Sequence, residues 1–207
     1  MSKDIVSIFR EIRQIRECIS TYCLAPDKIP VSRDDIAYAT RQVYGLRQVE
    51  YTLVPLRSHT WKGHIEFWEG RVRILLNSEM NLAETRFTIV KELGHVVVRN
   101  ADNKTEDVVA LIEEMVLQAQ PVFGIPPQPT PALLAENLAY YVAIELLFPF
   151  ELRVADKLAI DGGATTLFKI AERLDIPEHV VGRALSDQYH KLSSASWAEV
   201  KKADDAA

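Results

Sequence analysis

Arg86 to Arg99 reads RFTIVKELGHVVVR, and the reading of this stretch decides the fold. It is predicted as one helix. Glu92 and His95 take the second and fifth places of an HExxH-like pattern, while Lys91 stands where that pattern has its first histidine. In HExxH, two histidines at i and i+4 project from one helical face and bind Zn²⁺, and the glutamate beside the first is the general base acting on the zinc-bound water. Here one half of the pair is a cation. The stretch therefore poses a choice between a metallopeptidase and a metallopeptidase fold that no longer holds its metal.

Upstream of this helix the apolar period changes to two. VEYTLVPL from Val49, then GHIEFW, then RVRILLN predict three strands, the last two a hairpin through Glu69-Gly70. His59 and His64 lie in or beside these strands, where a lone histidine is more often a surface or edge residue than a ligand. Further upstream, PDKIP breaks the pattern and Ser32 with Asp34 and Asp35 starts a helix over roughly Asp34 to Leu46, with acids where the helix dipole favours them. Residues 1–30 contain an amphipathic helix from Ile5 to about Cys23, whose stripe Ile8, Ile12, Ile15 and Ile19 faces a core while Arg10, Arg13 and Arg16 lie off it.

Downstream, ADNKTED is a polar loop and Val108 to Ala119 a predicted helix. PVFGIPPQPTP has five prolines in eleven residues, which excludes regular structure. Pro131 to Leu147 is a helix stopped by Pro149, with Glu136, Ala139, Tyr140, Ala143 and Leu147 on one face. A carboxylate followed by small alanines lets such a helix approach another closely with a single acid at the contact. Residues 164–190 have a helix-turn-helix pattern: Ala171 in the first helix, Leu174 and Ile176 around the turn, Val181 and Leu185 in the second. Its second helix carries His179, Arg183 and Lys191 but also Glu178 and Asp187, a poor surface for phosphates. Residues 191–207 have little apolar pattern and are expected to be a flexible tail.

Composition is that of an ordinary soluble globular chain: 207 residues, 48% hydrophobic, 26% charged. Lys and Arg number 24 against 29 Asp and Glu, so no overall basic field points to nucleic acid or to an anionic membrane. Cys18 and Cys23, five apart in a helix, suit neither a disulfide nor a usual zinc pair. The amino terminus lacks a signal-peptide core, and no apolar run reaches the roughly 18 residues of a membrane span. The expected location is the cytoplasm.

Taken together, GHIEFWEGRVRILLN, RFTIVKELGH and ENLAYYVAIELLFP, with LFKIAERLDIPEHVVGRAL behind them, resemble the ImmA/IrrE family of metallopeptidase domains, also called IrrE N-terminal-like. The resemblance covers most of residues 31–190. It implies an α+β, zincin-like metallopeptidase domain: a small three-stranded sheet, several helices and a helix-turn-helix-like end. It also implies zinc held by two histidines and a downstream glutamate, and cleavage of helix-turn-helix transcriptional repressors, which relieves repression of mobile elements or stress genes. Position by position, His95 matches the second histidine ligand, Glu92 the general base, Glu136 the downstream carboxylate ligand, and Lys91 the missing first ligand.

A catalytic zinc site keeps three protein ligands and an open position, and this chain retains two. A lysine with an ordinary pKa near about 10.4 is an ammonium at neutral pH, with no lone pair to give and a charge that repels Zn²⁺. If Lys91 points into the old site, it can sit among Glu136, His95 and Glu92 and supply the positive charge zinc would have brought. The expected function is therefore that of a degenerate, non-catalytic regulator binding a repressor or other protein partner, without cofactor. One alternative is an active zinc endopeptidase with a substitute ligand such as His64, or with Lys91 neutralised beside the metal. Another is a DNA-binding regulator using Ala171 to Leu185.

Overall fold

The computed structural model describes residues 5–23, 29–55, 61–99 and 131–205. His59, the predicted helix Val108 to Ala119 and the proline-rich segment before Pro131 lie outside the described residues. Among those described, eight helices and one three-stranded sheet form a mixed α+β architecture. The helices are α1 (Ile5–Tyr22), α2 (Arg33–Val43), α3 (Leu82–Val98), α4 (Pro131–Leu147), α5 (Phe150–Asp161), α6 (Leu167–Leu174), α7 (Glu178–Ala184) and α8 (Asp187–Asp205). The strands are β1 (Gln48–Val54), β2 (Gly63–Trp68) and β3 (Arg71–Asn77).

The strand order is β1-β3-β2, with β1 parallel and β2 antiparallel to β3. The predicted Glu69-Gly70 turn joins β2 to β3, both residues at positive φ, as a two-residue hairpin requires. Val72, Ile74 and Leu76 of β3 turn one face of the sheet into the core, and their partners Gly63, Ile65 and Phe67 on β2 share that face. Arg73, on the other face, pairs with Glu50 at 3.7 Å and Glu66 at 3.6 Å.

At the centre lies α3, which starts at a capping box: the Asn81 side chain accepts from the Glu84 N–H, and Glu84 reaches back to the Asn81 N–H. Its sequence is apolar nearly all round, and it is buried nearly all round, by the sheet on one side and by α4 and α2 on others. The α1 stripe Ile8, Phe9, Ile12, Ile15 and Ile19 is buried against α2, α4 and α8, so the N-terminal helix is part of the common core. Ser32 caps α2 as predicted, accepting from the Asp34 N–H at 3.2 Å. Cys18 and Cys23 are free thiols, and burial together with nearby Asp35 pushes the Cys23 thiol up to about 11.

Of the expected flexible tail, residues 191–205 are instead the last part of α8. Its Ser193, Ser196 and Val200 are buried, and the Trp197 indole N–H donates to Glu145 at 3.0 Å. Glu145 and Arg153, both fully buried, form an ion pair at 2.5 Å that Tyr189 and Ser193 complete by donating to the same carboxylate oxygen. A polar network of this kind anchors a helix without leaving an apolar stripe to read. No single helix among the described residues is long and apolar enough to cross a membrane; α4 and α5 would reach that length only as a pair, and they bend by 82° between them.

Candidate functional site

The site sits where α3 and α4 cross, and two glycines shape it, Gly94 at the crossing and Gly63 on the sheet side. A Cβ on Gly94 would stand 2.6 Å from the Ala139 carbonyl oxygen and 3.0 Å from its Cα, so the two backbones touch there. That contact places Glu136, one turn before Ala139, opposite Lys91, one turn before Gly94. On the sheet side, a Cβ on Gly63 would meet the Thr88 methyl at 2.5 Å and the Glu92 carboxylate at 3.1 Å. The start of β2 is therefore pressed onto Glu92, whose side chain is 3% exposed.

Lys91, Glu92, His95 and Glu136 form one ionic cluster. The Lys91 ammonium donates to Glu136 Oε2 at 2.8 Å and lies 2.8 Å from Glu92 Oε1, the latter an ion-pair contact without full hydrogen-bond alignment. His95 Nε2 is 2.9 Å from Glu136 Oε1 and 3.9 Å from Glu92 Oε2. Burial works against the charge on Lys91, but the carboxylates of Glu92 and Glu136 outweigh it and hold the ammonium above its ordinary range. Burial likewise opposes the charge on Glu136, and is outweighed by the hydrogen bond from His95 and the charge of Lys91, which hold the carboxyl well below the usual range. Each partner thus favours the charged form of the other.

These residues do not match a three-ligand zinc site. Of the positions implied by the resemblance, one carries an ammonium bonded to the carboxylate ligand, and the histidine nitrogen that would face a metal donates its proton to that same carboxylate. The general-base position, Glu92, is itself paired with the ammonium. His64 is no substitute ligand from its place in the sheet. Gly63 faces Glu92, so the alternation of the strand turns His64 to the opposite face, where its ring lies 5.9 Å from that of Trp61.

The helix-turn-helix pattern is present as α6 and α7, joined through Asp175 at positive φ; Asp187 and Lys191, expected in its second helix, fall instead in α8, where both are exposed. Arg183 donates to Asn137 at 3.1 Å and lies over the Tyr140 ring at 4.3 Å, which binds α7 to α4 beside Glu136. His179 is exposed at the surface, and partial desolvation, then Lys62 nearby, hold its imidazole below the usual range. Sequence reading missed Arg86, which is 6% exposed and donates to the carbonyls of Leu174, Asp175 and Val31. It ties α3 to the turn of the helix-turn-helix unit. An arginine next to the apolar run Phe87, Ile89 and Val90 was its only signal.

No protein-family model and no curated protein matches this chain.

Proposed function

We propose that this chain is a metallopeptidase-like protein of the ImmA/IrrE type, with a zincin-like domain, that does not hydrolyse peptides and works as a regulator by binding a protein partner. The observation carrying this reading is the position of Lys91 Nζ, 2.8 Å from both Glu92 and Glu136. One ammonium blocks two roles at once: it neutralises the residue that would activate water, and it engages the carboxylate that would hold the metal.

Side chains of Lys91, His95 and Glu136 are 20%, 16% and 27% exposed, so the cluster is open on one side. Among the described residues β2 pairs only with β3, and the strand that presses on Glu92 has a second edge. A partner segment entering there meets a donor on Lys91 and an acceptor on Glu136. The partner class proposed is a helix-turn-helix repressor, and the setting proposed is the cytoplasm, to which the free thiols of Cys18 and Cys23 are suited.

The test mixes purified protein with helix-turn-helix repressors, with and without added zinc, and follows complex formation and the intact mass of the repressor. A complex containing uncut repressor supports the proposal. Zinc-dependent fragments sink it.

A further inference from the structure

We infer that Lys91 is the resident cation of this site: its ammonium takes the place of a metal ion at the point where Glu92, Glu136 and His95 converge, and its charge holds α3 and α4 in their present crossing. The inference deepens the non-catalytic reading and rests on it.

Three side chains from two helices meet at this point. Gly63 packs directly on the Glu92 side chain, and the backbone contact between Gly94 and Ala139 brings the turn of α4 that carries Glu136 up to α3. Two carboxylates that each stand 2.8 Å from one nitrogen are near neighbours, and a cation between them makes that arrangement favourable with both ionised. Zinc would serve, and so does an ammonium on a stem that starts one residue before Glu92. The Lys91 stem reaches the site from α3 itself, so the cation cannot dissociate. The same charge repels an incoming divalent cation, and His95 Nε2, directed at Glu136 at 2.9 Å, has its lone-pair position taken up by the proton it shares with that carboxylate.

Charge and shape can be separated, since methionine keeps the length of the lysine stem without its ammonium. The experiment is a thermal-stability cycle of wild type, Lys91→Met, Glu136→Gln and the double variant, with Lys91→Arg as the charge-retaining control. The expected result is a fall in Tm of about 6–12 °C for Lys91→Met, partly recovered in the double variant, which removes the repulsion from Glu136 but leaves Glu92 without its cation. Lys91→Arg should lie closer to wild type than Lys91→Met does. A Lys91→Met chain that fails to fold but is rescued by Glu136→Gln is the same result in its extreme form. Strictly additive effects, or a double variant no better than Lys91→Met, overturn the inference.

A second arm adds zinc chloride to chelator-treated protein and reads Tm and bound metal. Wild type should show neither change nor stoichiometric zinc, whereas Lys91→His should gain a zinc-dependent rise in Tm that Glu136→Ala abolishes. Stoichiometric zinc on wild type overturns the inference, as does a Lys91→His protein that gains nothing. If the cycle is non-additive and wild type excludes zinc, yet repressor is still cut, the non-catalytic reading fails while the resident cation stands.

Discussion

Gly94 on α3 lies directly against the backbone of Ala139 on α4, so that any side chain at Gly94 would meet the Ala139 carbonyl oxygen at 2.6 Å. Because that oxygen belongs to a helix backbone, it cannot move aside as a flexible side chain would. Gly94→Ala should therefore push the helices apart and destabilise the protein by about 2–3 kcal/mol, the upper part of the range for overpacking a core. Chemical denaturation measures the loss directly. The same variant should weaken the dependence of stability on Lys91, since the ammonium reaches Glu136 only across this crossing. Wild-type stability in Gly94→Ala would show that the two backbones are not in contact.

The charge on Glu136 makes a pH dependence with a definite sign. Its folded-state pKa is lowered, against burial, by the His95 hydrogen bond and the Lys91 charge. Its stabilising contribution is then complete above the unfolded-chain value of about 4.3 and is lost as pH falls below it toward the folded value. Lys91 is the mirror case: its raised pKa gives a contribution complete below about 10.4 and lost as pH rises beyond. The Tm difference between wild type and Glu136→Gln should be widest between about pH 5 and 9 and should narrow when pH is lowered to 3. A gap independent of pH would mean that Glu136 contributes by packing alone.

The parts of this fold that periodic sequence can carry were legible. The α1 isoleucines, the two-residue alternation of β3, the Glu69-Gly70 turn and the Glu136 face of α4 all stand where hydrophobic period and turn chemistry put them. The motif around Lys91 located the site and even its ionic partners. What could not be read is what depends on long-range packing. Nothing in the sequence around Gly63 says that it faces Glu92, so nothing there says that His64 turns the other way. Arg183 of α7 looked available because its partners, Asn137 and Tyr140, lie on another helix far back in the chain.

For Arg183 this packing changes what a substitution does. Held by Asn137 and stacked on Tyr140, it joins α7 to α4. Arg183→Ala should cost about 1–2 kcal/mol of stability through the lost hydrogen bond and cation-π contact. In an electrophoretic shift assay with duplex DNA, neither protein should show a salt-dependent complex that the other lacks. A binding slope that falls by about one on removal of Arg183 would identify it instead as a phosphate contact.

The polar end of the chain provides the most direct contrast between composition and structure. Ser193, Ser196 and Trp197 sit among charged and small residues and read as a tail, yet Ser193 and Trp197 donate to the fully buried Glu145, which also pairs with the fully buried Arg153. Truncation after His190 removes both donors and uncovers the pair, while truncation after Val200 leaves them in place and removes mainly exposed residues of α8. The longer deletion should therefore cost about 3–5 kcal/mol, comparable to breaking a buried ion pair, and the shorter one less than about 1 kcal/mol. Urea unfolding of the two truncated proteins distinguishes these outcomes. Equal stability of both would mean that the segment after His190 contributes nothing to the core and that Glu145 and Arg153 are satisfied without it.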